Sequence, residues 1–383
     1  MKLSFVFARK VAAGFLAVAV AAAGANAFAA NVTWKASNQG GAARAWNTAS
    51  NWSPSGVPAN GDSVYFGPLG SGPQFQVNLG SDTNELASVN FTSAATGGYR
   101  IANNALVVNG NIVNNSTNLS TAGTGEASVV LPTLRLAGDT LLSGNGKPTE
   151  VFNGIEGVGH TLTVTTNNLI LFGVPSEANI VASAGTFSLG DIVGLADLTV
   201  GAVGVVGGIP NRDPGQFFST NGAGTLTFQN TSTVNMGVAG TSPSAGFPGD
   251  NYDQFATTGA VNFGGTLNID WSQVGSSLFT NYTTFDLFDG GSYAGNFSAV
   301  ALASASAPYA GLGFTQNGSE WRTQEFVGEG GQSQWLVFQS QSGNLVVVPE
   351  PSTIVFAGLG VAMSGWTMWK KRRLSKILAA KAA

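Results

Sequence analysis

Between residues 31 and 348 almost no stretch of apolar residues follows helical spacing, and this constrains the chain more than any single motif. What recurs is short alternation of apolar and polar residues closed by Gly, Asn or Asp, the pattern of half-buried strands. Leu134 and Leu136 alternate in this way, as do Leu162 and Val164, Phe187 and Leu189, Leu226 and Phe228, Leu267 and Ile269, and Phe285 and Leu287. Several runs open on glycine then threonine: Gly185-Thr186-Phe187, Gly224-Thr225-Leu226 and Gly265-Thr266-Leu267. Glycine takes the tight turn, and a β-branched residue enters the strand. The pattern predicts an all-β chain, a parallel β-helix or solenoid in which each coil buries its face on the next. The period is irregular, so a β-sandwich or jelly roll is the alternative.

Composition narrows the chemistry. There is no cysteine, which excludes disulfides and thiolate metal sites. Only 9% of residues are charged, against 53 Gly, so stability must come from backbone pairing and stacked small residues. The 24 Phe and 8 Trp oppose wholesale disorder. Residues 31–348 carry seven Lys/Arg and nineteen Asp/Glu, a net charge near −12, against −4 for the whole chain. An acidic body is a poor partner for nucleic acid or anionic lipid.

Both ends are of another kind. Lys2, Arg9 and Lys10 precede an apolar run from Val11 to Ala23, followed by the small-x-small sites Ala25-Asn26-Ala27 and Ala27-Phe28-Ala29. Residues 1–29 therefore read as a secretory signal peptide with its signal helix, cut after Ala27 or Ala29. At the other end, Pro349-Glu350-Pro351 leads into the uncharged span Ile354–Trp369, and Lys370, Lys371, Arg372 and Arg373 stop it. Sixteen residues of helix cover about 24 Å, short of a hydrocarbon core of about 30 Å. Trp366 and Trp369 suit the headgroup layer, and the basic stems can snorkel to make up length. The reading is a single C-terminal transmembrane helix at 354–369, a stop-transfer quartet on the cytoplasmic side, and a short cytoplasmic tail at 374–383.

The tail at 349–373 resembles the PEP-CTERM sorting signal of Gram-negative bacteria, in its Pro349-Glu350-Pro351, its apolar span and its basic cluster. That resemblance implies recognition of Pro349, Glu350 and Pro351 by an exosortase, a membrane-embedded cysteine protease or transpeptidase, and removal of the anchor.

Residues 30–70 form a Trp-rich opening of the β body at 30–348, with Trp34, Trp46 and Trp52 among Asn47, Asn51, Gly56, Pro58 and Asp62. These indoles serve either as a cap on an open solenoid end or as a stacking platform for a glycan. Trp34, Trp46, Asn51-Trp52, Pro58, Gly61-Asp62 and Phe66 resemble the start of surface proteins with autotransporter-associated β-strand repeats. Residues 222–300 carry a second resemblance, to the end of such passengers: Gly224-Thr225-Leu226-Thr227-Phe228, Asp253-Gln254-Phe255, Gly264-Gly265-Thr266-Leu267, Phe285-Asp286-Leu287-Phe288 and Gly295-Asn296-Phe297. Both imply a parallel β-helix body.

No catalytic constellation stands out. His160 is the only histidine and enters a strand from Gly159, as a turn residue does. No Gly-x-Ser-x-Gly elbow supplies a nucleophile, and one histidine without cysteine is a poor basis for zinc. Asp286 with Asp289, or Asp250 with Asp253, are the acid–base candidates. The alternation with Phe285 and Leu287 puts Asp286 on the outer face of its strand, and turn formation accounts for Asp250 and Asp253. Asp250, Asn251 and Asp253 are also the candidate Ca²⁺ ligands, without the repeat that would support them. The sequons at Asn51, Asn90 and Asn281 are expected by chance in a chain this rich in Asn, Ser and Thr. The sequence leads to a non-enzymatic, exported surface or matrix structural protein with no cofactor. Its expected partners are an exosortase, exopolysaccharide or other matrix components, and transiently the inner membrane. A lectin-like carbohydrate-binding module is the alternative, and a polysaccharide-active enzyme is the third class.

Overall fold

The computed structural model describes residues 29–349, apart from 36–43, 68–73, 82–83, 93–97, 120–126, 167, 172–176, 190–191, 196, 202–204, 209–216, 221–223, 242–251 and 275–278. The described chain is all-β and forms sheets of 16, 11 and 6 strands. Pairing in the two larger sheets is parallel, except that Trp52–Ser53 runs antiparallel to Asn31–Trp34. One turn shows the winding. Thr149–Val151 lies in the 11-stranded sheet, Ile155–Glu156 and Thr161–Val164 lie in the 16-stranded one, and Asn168–Leu171 returns to pair with Thr149–Val151. This strand order is that of a solenoid. A sandwich or jelly roll would instead need antiparallel pairing throughout its sheets.

Register explains why alternation was the dominant sequence signal. Val32, Val64, Val89, Ile112, Leu142, Val164, Ala182, Val200 and Phe228 occupy one inward ladder, each opposite the next. All are buried. Full burial of each larger side chain is worth roughly 1.5–3 kcal/mol, and neighbouring turns share it. The outward positions carry polar ladders instead. Asn268 Nδ2 donates to Asn235 Oδ1 at 3.1 Å across a register pair, and Asn262 Nδ2 donates to Thr227 Oγ1 at 3.3 Å across another.

The irregular period has a simple cause. Asn168 and Thr186 are register partners 18 residues apart, whereas Thr227 and Asn262 are partners 35 apart. Extra residues leave the turns as loops, so strand register is kept while sequence spacing is not. Two ten-residue strands, Ala105–Asn114 and Gln254–Phe263, bend from one face to the next. The first half of Ala105–Asn114 pairs with Thr133–Leu136 and the second with Thr140–Ser143. Gly110 sits at that bend, where a Cβ would lie 2.2 Å from the Ala87 carbonyl oxygen.

Both ends of the stack are closed. Trp34, Trp46 and Trp52 fill the N-terminal end. The C-terminal end carries the six-stranded antiparallel sheet, ordered Thr284–Asp286, Asn344–Pro349, Ser333–Gln339, Glu320–Thr323 and Phe314–Asn317, with Phe326–Val327 also on Ser333–Gln339. The sequence did not announce this sheet. Its Phe338 packs on Phe263, Phe288 and Phe297 at ring-centroid distances of 5.9, 6.1 and 5.6 Å, which covers the last apolar rung of the solenoid.

Among the described residues no helix is long and apolar enough to cross a membrane. The expected signal helix within residues 1–28 and the expected span 354–369 lie outside the described residues.

Candidate functional site

The three tryptophans were one candidate site, and packing decides their role. Trp34, Trp46 and Trp52 are 1%, 2% and 0% exposed. Trp52 meets Trp34 and Trp46 edge-on, at centroid distances of 4.8 and 4.6 Å, and all three border Phe66. The Trp52 indole N–H donates to the Trp46 carbonyl at 2.7 Å. Edge-to-face packing is the favoured arrangement for such rings, and it leaves no face for a sugar. A glycan platform at Trp34, Trp46 and Trp52 is thereby corrected to an apolar plug. The Gly61-Asp62 pair belongs to the same construction. The Asp62 carboxylate accepts the N–H groups of Ala30 and Ala59 at 2.7 and 2.8 Å, tying the incoming chain to the turn before Ser63–Phe66.

Two of the carboxylate candidates, Asp286 and Asp253, are committed to the fold, while Asp289 is exposed. Asp286 ends the strand Thr284–Asp286 between the buried Phe285 and Leu287, and is itself half-buried. Its carboxylate accepts from Gln254 Nε2 at 2.9 Å, and its backbone N–H donates to the Tyr252 hydroxyl at 3.2 Å. Burial pushes the Asp286 carboxyl above the usual carboxylate range, and the nearby Asp289 adds to this, while the Gln254 hydrogen bond opposes it. The Tyr252 and Tyr293 hydroxyls are pushed up too, again chiefly by burial. Among the described residues no cationic side chain pairs with Asp286 or Asp289. The group therefore pins the last turns of the solenoid to the antiparallel sheet. Asp253 is buried and accepts the Gly237 N–H at 2.7 Å; Asp250 and Asn251 lie outside the described residues.

His160 is a turn residue: its N–H donates to the Gly157 carbonyl at 3.0 Å and its carbonyl accepts from Asn179. Of the sequon asparagines, Asn51 Nδ2 donates to the Ala45 carbonyl, Asn90 Nδ2 to Ser88 Oγ, and Asn281 Oδ1 accepts from Gln334 Nε2. Of the sorting residues, Pro349 ends the strand Asn344–Pro349 opposite Gln334. Glu350, Pro351 and Lys370–Arg373 lie outside the described residues.

One feature that sequence reasoning missed is a groove on the flank of the solenoid, of about 290 Å³. It is lined by Arg100, Ile101, Ala102, Asn103, Val130, Pro132, Phe152 and Asn153, from three successive turns. Ile101, Ala102 and Val130 are buried and give it an apolar floor. Phe152 is 36% exposed, and Arg100, Asn103 and Asn153 are exposed beside it. Asn103 holds φ +78° at the corner between Gly98–Ala102 and Ala105–Asn114, a left-handed conformation that asparagine tolerates better than most residues. These side chains come from positions 100–103, 130–132 and 152–153, and only the winding of the chain brings them together.

Comparison with known proteins gives no match to a family model, a curated protein or a solved structure.

Proposed function

We propose that this is an exported, non-enzymatic structural protein of the cell surface or extracellular matrix of a Gram-negative bacterium. It is made with the signal peptide at 1–29, held briefly in the inner membrane by the span 354–369, and processed by an exosortase at Pro349-Glu350-Pro351. The working part is the β body, which joins exopolysaccharide or other matrix material outside the cell.

The observation that carries this reading is the closed body. An inward apolar ladder runs from Val32 to Phe228, tryptophans plug one end and an antiparallel sheet covers the other. Of the acid–base candidates, Asp286 and Asp253 make hydrogen bonds that tie turns together. Such a stack offers long, polar flanks, as suits a scaffold. The terminal strand supports the sorting part, because Pro349 is its last residue and Glu350-Pro351 follow without a linker.

The test replaces Glu350 and Pro351 by alanine, leaving Pro349 in its strand. The altered chain is expected to stay longer and in the inner-membrane fraction, while the unaltered chain is shortened and released. Equal size and equal release of the two would refute the sorting role.

A further inference from the structure

We propose that the flank groove formed by Arg100, Asn103, Val130, Pro132, Phe152 and Asn153 binds one acidic sugar unit, a uronate, of an anionic polysaccharide. The groove supplies each kind of contact such a ring needs. Arg100 is exposed and has no ion pair or hydrogen bond to its guanidinium among the described residues. By contrast, Arg135 pairs with Glu156 at 2.6 Å and Arg322 lies 3.9 Å over the Trp335 ring. A free planar guanidinium matches a carboxylate, which it can grip with two parallel hydrogen bonds. The Asn103 and Asn153 carboxamides have no partner among the described residues, and each offers both donor and acceptor to ring hydroxyls. The Phe152 ring, Pro132 and the Val130 floor present apolar surface to the C–H face of the ring.

The alternatives fit less well. An inorganic anion would gain nothing from the apolar floor or the aromatic wall. A neutral sugar would leave the guanidinium without a counter-charge. At about 290 Å³ the cavity is at the small end of ligand sites, which suits a single pyranose unit of a chain running along the flank. The nearest acidic ladder position is Glu150, separated from Arg100 by Val130 in the same outward register. Two strand spacings are about 10 Å, and among the described residues no ion pair joins Glu150 to Arg100. The body as a whole is acidic, so attraction must come from this local set of contacts rather than from net charge.

This inference rests on the proposed matrix role only for where the ligand is met, and its test is separate. The full-length chain is run in gels containing polygalacturonate or dextran, with free galacturonate or galactose as competitor. Polygalacturonate is expected to retard the protein and dextran is not, and galacturonate is expected to compete while galactose does not. Arg100→Gln and Phe152→Ala, both at exposed side chains, are expected to weaken binding at least tenfold with unchanged circular dichroism. Arg44→Gln, at an exposed cation on another strand, is expected to leave binding as it was. Absence of retardation, equal binding by Arg100→Gln, or an equal loss in Arg44→Gln would overturn the groove assignment. If the chain is still exported and shortened, that failure leaves the sorting reading untouched.

Discussion

Replacing Trp52 by alanine tests the solenoid account most directly. Trp52 is fully buried, touches Trp34, Trp46 and Phe66, and donates to the Trp46 carbonyl. Removing a buried tryptophan costs about 3–5 kcal/mol in lost transfer energy and residual cavity. The edge-on ring contacts and the 2.7 Å hydrogen bond put this case in the upper half of that range, about 4 kcal/mol. That is a large share of a typical domain stability of about 5–15 kcal/mol. In a stack where each turn touches only its neighbours, the loss should stay local. Hydrogen exchange followed by mass spectrometry should therefore show amides of Asn31–Trp34 and Ser63–Phe66 opening about a thousandfold more readily, at about 1.4 kcal/mol per factor of ten. Amides of Gln254–Phe263 and Thr266–Asp270, at the far end, should keep their protection. Unchanged protection near Trp52 would refute the plug. An equal loss at both ends would refute nearest-neighbour coupling and make the body one cooperative unit.

Further outcomes follow from single contacts. Gly265 has φ +68°, and a Cβ there would lie 2.2 Å from the Ser232 carbonyl oxygen; Gly265→Ala should cost about 2–3 kcal/mol in urea unfolding, and a loss under 0.5 kcal/mol would contradict the geometry. Folding raises the Asp286 carboxyl above its unfolded value, so the folded state binds that proton more tightly and the group's effect on stability worsens as pH climbs through the carboxylate range. Asp286→Asn should accordingly raise the melting temperature relative to the unaltered chain at pH 7 and have little effect near pH 3; a larger gain at pH 3 would reverse the argument. The Arg135–Glu156 pair joins register partners at 2.6 Å, but both side chains are 43% exposed. Glu156→Gln should therefore change stability by less than about 1 kcal/mol, measured in low and in 0.5 M salt.

What the sequence determined by itself was local and periodic. Pairs such as Leu134 with Leu136, Leu162 with Val164 and Leu267 with Ile269 announced inward-facing strands, and each is buried in the structure. Alternation survives in sequence because it is set by the pleat of one strand, within four or five residues. The alternation of Asp286 with the buried Phe285 and Leu287 was legible for the same reason, but its half-burial against Gln254 and Tyr252 was not. Tertiary structure decided whatever depends on partners far along the chain. The indoles of Trp34, Trp46 and Trp52 carry identical chemistry whether they plug a core or face a sugar, and only packing against Phe66 separates the two. The number of strands in each sheet was hidden because loops of unequal length change the spacing between turns while hydrogen-bonded register is preserved. The flank groove was hidden for the same physical reason: Arg100, Val130 and Phe152 become neighbours only when three turns stack at the strand spacing.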